Sequence, residues 1–120
     1  MQITEKIKEL SEEVKKTERF KKYQESKKIF EQDNKARNLL NNFQEAKNEL
    51  IILKQGGFEG AEEQAQKTEK LSLEVLENKV IQDYMEARKN YIRLVEELAV
   101  AISEEIEFPI RLPEKKSCCG

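Results

Sequence analysis

From Leu39 onward, apolar residues recur at Phe43, Ala46, Leu50 and Leu53, in steps of four, three, four and three. That average of 3.5 residues gathers the side chains on one edge of an α-helix. A strand, whose faces alternate at every second residue, cannot do so. The same stepping returns in Val80, Tyr84, Ala87, Tyr91, Leu94, Leu98 and Ala101, with Ile102 beside it. Two long helices with coiled-coil-like seams are therefore expected, the first opening near Asn34 and the second covering residues 79–106. The first, of about 22 residues, would be roughly 33 Å long at 1.5 Å per residue.

Helix boundaries follow from the residues around these runs. Asp33 and Asn78 are suited to N-caps, their side-chain oxygens accepting orphan N–H groups of the helices that follow. Gly56-Gly57 ends the first long helix. With Gly57 in the left-handed C′ position, Phe58 is expected to fold back on Leu53. Pro109 ends the second, lacking an N–H and biasing Phe108 away from helical angles. Before them, Ile3, Ile7, Leu10 and Val14 mark a stripe on one helix. Phe20, Tyr23, Lys27 and Phe30, with Ile29 beside them, follow Thr17. Thr17 either caps a second helix or sits inside a continuous one. Between the long helices, residues 60–76 read as a more polar helix anchored by Leu71, Val75 and Leu76.

The expected fold is all-α: an antiparallel helical hairpin or bundle of two long coiled-coil-like helices, with shorter N-terminal helices. It forms one helical domain over residues 1–108, followed by a flexible cysteine-bearing tail at 109–120. One apolar stripe per helix makes a thin ribbon with little interior. Leu39, Phe43, Leu50, Ile51, Ile52, Leu53, Val80, Ile81, Tyr84, Met85, Tyr91, Val95, Leu98 and Ile102 are the candidate interaction seam. Of these, Ile51, Ile52, Ile81, Met85 and Val95 are the ones expected to favour a second molecule. The alternative is that they complete an ordinary monomeric bundle. On the outer faces, Glu12–Lys16, Glu18–Lys22 and Glu31–Lys35 place acid four residues before base, which supports isolated helices.

Several function classes are disfavoured. The chain has no His, so the commonest general base and neutral metal ligand are missing and nucleophile–His triads are excluded. Gly56-Gly57-Phe58-Glu59-Gly60 lacks the lysine of a phosphate loop and follows no strand. An enzyme is not expected. A net charge of −2 gives no footprint for nucleic acid. The basic stretch Lys15, Lys16, Arg19, Lys21, Lys22, Lys27 and Lys28, with Phe20 and Tyr23 interleaved, is diluted by Glu12, Glu13, Glu18 and Glu25. It reads as a solvated face, as does the acidic cluster Glu96-Glu97 with Glu104-Glu105. No apolar run approaches a bilayer span, and the N-terminus lacks the apolar stretch of a signal peptide, so a cytoplasmic protein without membrane contact is expected.

Cys118 and Cys119 are candidate metal ligands. Adjacent cysteines close a disulfide only through a strained ring. An iron–sulfur cluster normally takes four thiolates, so two would have to come from another subunit or partner. The alternative is an exposed thiol pair without a cofactor. The ending is not a CaaX box.

The segment Asn78-Lys79-Val80-Ile81-Gln82-Asp83-Tyr84-Met85-Glu86-Ala87 resembles the hallmark of the YlbF/YmcA family of small helical bacterial regulators. Thr17-Glu18-Arg19-Phe20-Lys21-Lys22-Tyr23, the Asp33-Asn34-Lys35-Ala36 turn and Phe43 are similar to the rest of its pattern, and the resemblance covers roughly residues 3–106. Lys79 stands where the family commonly has proline, a first-turn position compatible with either residue. The resemblance implies a regulatory adaptor that assembles with YmcA-like proteins and a PSP1-domain protein of the YaaT type. It implies effects on competence, sporulation and biofilm formation through RNase Y and messenger RNA processing. The ending Cys118-Cys119-Gly120 resembles the cysteine-bearing tail of certain members, for which the resemblance implies an iron–sulfur cluster. Homomeric and mixed assemblies, a cluster-bearing redox sensor and a purely structural coiled-coil oligomer all remain open at this point.

Overall fold

Three helix starts carry a side-chain cap, at Thr17, Asp33 and Asn78, whereas those at Met1 and Gly60 carry none. In the computed structural model, which describes residues 1–57 and 59–112, the helices are α1 (Gln2–Lys15), α2 (Glu18–Gln32), α3 (Asn34–Gly56), α4 (Ala61–Glu77) and α5 (Lys79–Ile106). No strand occurs among the described residues. The Thr17 hydroxyl donates to the Val14 carbonyl at 2.7 Å and accepts the Phe20 N–H at 3.2 Å. It thereby closes α1 and opens α2, which settles the choice at this position in favour of a break. Asp33 Oδ1 accepts the Ala36 N–H at 3.0 Å, and Asn78 Oδ1 accepts the Ile81 N–H at 3.0 Å. Each cap stabilises its helix by about 1 kcal/mol. Gly57 takes the left-handed conformation at φ 64°, its N–H bonded to the Leu53 carbonyl. The expected packing of Phe58 on Leu53 lies outside the described residues.

The chain divides into two compact units, and the boundaries fall inside α2 and α5. One holds Lys28–Tyr84, the other Met1–Lys27 with the chain from Met85 onward. In the Lys28–Tyr84 unit, α3 and α4 form a hairpin. Small side chains let the two helices approach: Ala36 and Ala46 of α3 are buried, as are Thr68 and Val75 of α4. The Ala46 carbonyl accepts Gln64 Nε2 at 3.1 Å, and the Thr68 hydroxyl lies 3.3 Å from it. That hydroxyl has one proton, and the Gln64 carbonyl at 2.7 Å is its nearer acceptor. The more polar helix expected between the two long ones packs beside α3 in this hairpin. Of its expected anchors Val75 is buried, whereas Leu76 is 62% exposed, and small groups and hydrogen bonds complete the contact. Phe30 and Tyr84 stack in the same unit with centroids 4.9 Å apart.

In the other unit, α2 runs antiparallel to α5. Tyr91 stacks on Tyr23 at 5.1 Å and meets the edge of Phe20 at 5.6 Å, while Arg19 reaches Glu97 at 3.1 Å. That ion pair is exposed, so the rings contribute more to the helix contact than the charges do.

Candidate protein-interaction surfaces

The predicted seam residues separate into three groups. Ile81 is 0% exposed. This corrects its assignment to an association surface, because a side chain with no accessible area cannot meet a partner while its unit stays folded. Leu39, Phe43, Leu50, Leu53, Val80, Tyr84, Met85, Tyr91, Val95 and Leu98 are half-buried. Ile51, Ile52 and Ile102 are exposed, Ile51 by 50% and Ile52 by 60%. Along α3 the most buried edge runs through Ala36, Leu40 and Ala46, so Leu39 flanks that edge.

In the unit that contains the N-terminus, α1 buries no residue. The first half of its stripe faces outward, with Ile3 62% and Ile7 60% exposed, whereas Leu10 is 38% exposed and Val14 is half-buried. The same unit carries an apolar groove of about 1010 Å³ along α5, floored by Ile92, Val95, Ala99 and Ser103. Its far wall is the chain after α5. There Glu107 adopts a left-handed conformation at φ 56°, and the Phe108 N–H donates to the Ser103 carbonyl at 3.1 Å. This is the six-to-one bond of a Schellman ending, made with glutamate where glycine is usual. The Ser103 hydroxyl donates to the Ala99 carbonyl at 2.7 Å and accepts the Ile110 N–H at 2.9 Å. Residues 108–112 are thus turned back, and Phe108, Pro109, Ile110 and Leu112 line the groove. Sequence reading found Pro109 as a stop but had no signal for the turn, since neither Glu107 nor Ser103 belongs to a residue type that announces one.

The basic stretch of α1 and α2 does not offer its rings to nucleic-acid bases, because Phe20 and Tyr23 are both engaged by Tyr91. Among the described residues, no group of three or more His, Cys, Asp or Glu side chains is placed to hold a metal ion. Cys118 and Cys119 lie outside the described residues, and two thiolates alone do not complete a cluster's usual ligand set. No described helix is long and apolar enough to cross a membrane.

The described helices leave apolar surface outward, at Ile3, Ile7, Ile51 and Ile52 among others, which suits association. Neither a curated protein nor a solved structure matches the chain. A family model described as control of competence regulator ComK, YlbF/YmcA, matches residues 3–107, and the chain belongs to that family.

Proposed function

We propose that this chain is a regulatory adaptor of a YlbF/YmcA/YaaT-type complex that steers RNase Y-dependent messenger RNA processing, and through it competence, sporulation or biofilm development. It works by binding proteins in the cytoplasm and not by catalysis. The observation that carries this reading is the adjacent pair Ile51 and Ile52, both half or more exposed at the end of α3. Leaving two half-exposed aliphatic side chains in water forgoes about 1 kcal/mol of burial each, which a partner surface recovers. Membership of a family described by competence control agrees with it.

The Cys118-Cys119 pair has a subsidiary place in this proposal. If a cluster is held, another chain supplies its remaining thiolates, so iron content scales with the assembly and not with the isolated subunit. Affinity capture of the tagged full-length chain from its native host, beside a chain ending at Leu112, tests both points. Recovery of YmcA-like, YaaT-like or RNase Y partners by both forms supports the helical surface as the adaptor. Recovery by neither removes the proposal, and recovery only by the full-length form moves the function to the tail.

A further inference from the structure

We propose that the α5 groove binds a long-chain fatty acid, with its carboxylate on Arg88 and its acyl chain along α5 towards the turned-back residues 108–112. The site lies within the unit that contains the N-terminus, and it is independent of the adaptor reading, which rests on Ile51 and Ile52 of the other unit.

Arg88 is the only cation among the described residues that line the groove. It is half-buried, and Tyr91, one turn further along α5, lines the groove with it, as does Tyr23, stacked on Tyr91. No acceptor among the described residues is bonded to this guanidinium. A half-buried cation without an anion is poorly compensated by its own chain, and its planar fork matches a carboxylate in two parallel hydrogen bonds. The Lys27 ammonium, 5.8 Å over the Tyr23 ring, adds positive charge at this end. Beyond Arg88 the charged residues that line the groove are Glu96 and Glu104, so a carboxylate placed further along meets repulsion. That asymmetry sets the direction of the ligand. Its chain then runs over Ile92, Val95 and Ala99 and meets Phe108 and Ile110 on the far wall. The apolar lining is open to it, Val100 being 58% and Phe108 69% exposed.

The dimensions decide between occupants. From Arg88 to Ser103 the floor is roughly 22 Å long at 1.5 Å per residue. The cavity volume of about 1010 Å³ lies at the upper end of the range for small-molecule sites. Spread over the length of the floor, that volume gives a section of roughly 45 Å², whereas an α-helix 10–12 Å across takes roughly 80–110 Å². A partner helix therefore rests on the rim, while a single row of methylenes lies inside. One arginine balances the single charge of a carboxylate, which a phosphate monoester exceeds.

Equilibrium dialysis of palmitate, below the concentration at which it self-associates, against the delipidated full-length chain tests this under reducing conditions. Saturable binding of one palmitate per chain is expected. Arg88→Gln, which removes the charge, and Val100→Asp, which sets a carboxylate against the acyl chain, are each expected to weaken it by about tenfold or more. Octanoate, too short to reach the far wall, is expected to bind wild type more weakly by a similar factor. Circular dichroism checks that both variants keep their helicity; Arg88→Lys replaces the first if it does not, with weaker binding again expected because the two-pronged contact is lost. The inference is overturned if palmitate does not bind saturably, if the charge variant or octanoate binds as palmitate binds wild type, or if lysophosphatidate binds about tenfold more tightly than palmitate. A chain that binds no palmitate, but loses protein capture or changes its oligomeric state through Val100→Asp, assigns the groove to a protein and overturns it while leaving the adaptor reading in place.

Discussion

The ring of Tyr91 lies nearly parallel to that of Tyr23, with centroids 5.1 Å apart and planes 15° from parallel. It also takes the edge of Phe20 at 5.6 Å. One α5 residue therefore holds two residues of α2, in a unit where α1 buries none of its side chains. Offset aromatic pairs contribute about 0.5–1.5 kcal/mol beyond the area they bury.

Tyr91→Ala is accordingly expected to lower unfolding free energy by about 2–4 kcal/mol, and Tyr91→Phe by less than about 1 kcal/mol. Urea denaturation followed by helicity checks both. Equal losses in the two variants would assign the effect to the hydroxyl and not to the stacked rings.

Lys79 is the first residue of α5, where the N–H has no intrahelical acceptor, and Asn78 before it is extended at φ −82°, ψ 110°. A residue preceding proline prefers those angles. Lys79→Pro is therefore expected to leave stability unchanged or raise it by up to about 1 kcal/mol, through a more restricted unfolded chain. The exposed Lys79–Asp83 pair that it removes contributes little. A fall in melting temperature would show that the start of α5 is differently built.

Ala46 is buried where α3 meets α4, and its carbonyl receives the Gln64 amide. Ala46→Leu is expected to force the hairpin apart and cost about 1–3 kcal/mol, whereas Asn48→Leu on the exposed face should change stability by less than about 0.5 kcal/mol. Hydrogen exchange across α3 and α4 would locate the loss.

Glu107 holds a left-handed backbone that disfavours residues with a Cβ. Glu107→Gly is expected to stabilise the end of α5 by about 0.5–1 kcal/mol and to slow amide exchange at Phe108 and Ile110. Faster exchange at those amides would contradict the turn.

The element order and most boundaries were legible in the amino-acid sequence because each depends on local chemistry. Asp33, Asn78, Thr17 and Gly57 all act where their side chains or lack of one permit. Tyr84 and Tyr91 were visible as members of the α5 seam, and both rings are stacked. Partner choice was harder to read. Apolar period tells which edge a helix buries but not against what, and the α3–α4 contact rests on Ala46, Thr68 and Gln64, which carry little hydropathic signal. Ile81 belongs to the same limit: its position on a seam was visible, but whether neighbours in its own chain cover it depends on tertiary packing. The groove was not legible at all, because its wall depends on a glutamate in a left-handed turn and on a serine bridging two backbone groups.

The central claim is that this YlbF/YmcA-family chain acts through outward aliphatic surface that other proteins cover. Its most direct test is quantitative capture of YmcA-like and YaaT-like proteins from the native host by wild type and by an Ile51→Asp, Ile52→Asp variant of equal helicity. A loss of recovery of about tenfold or more is expected, corresponding to 1.4 kcal/mol at the contact. Undiminished recovery by the variant, or no such partner with wild type, would contradict the account.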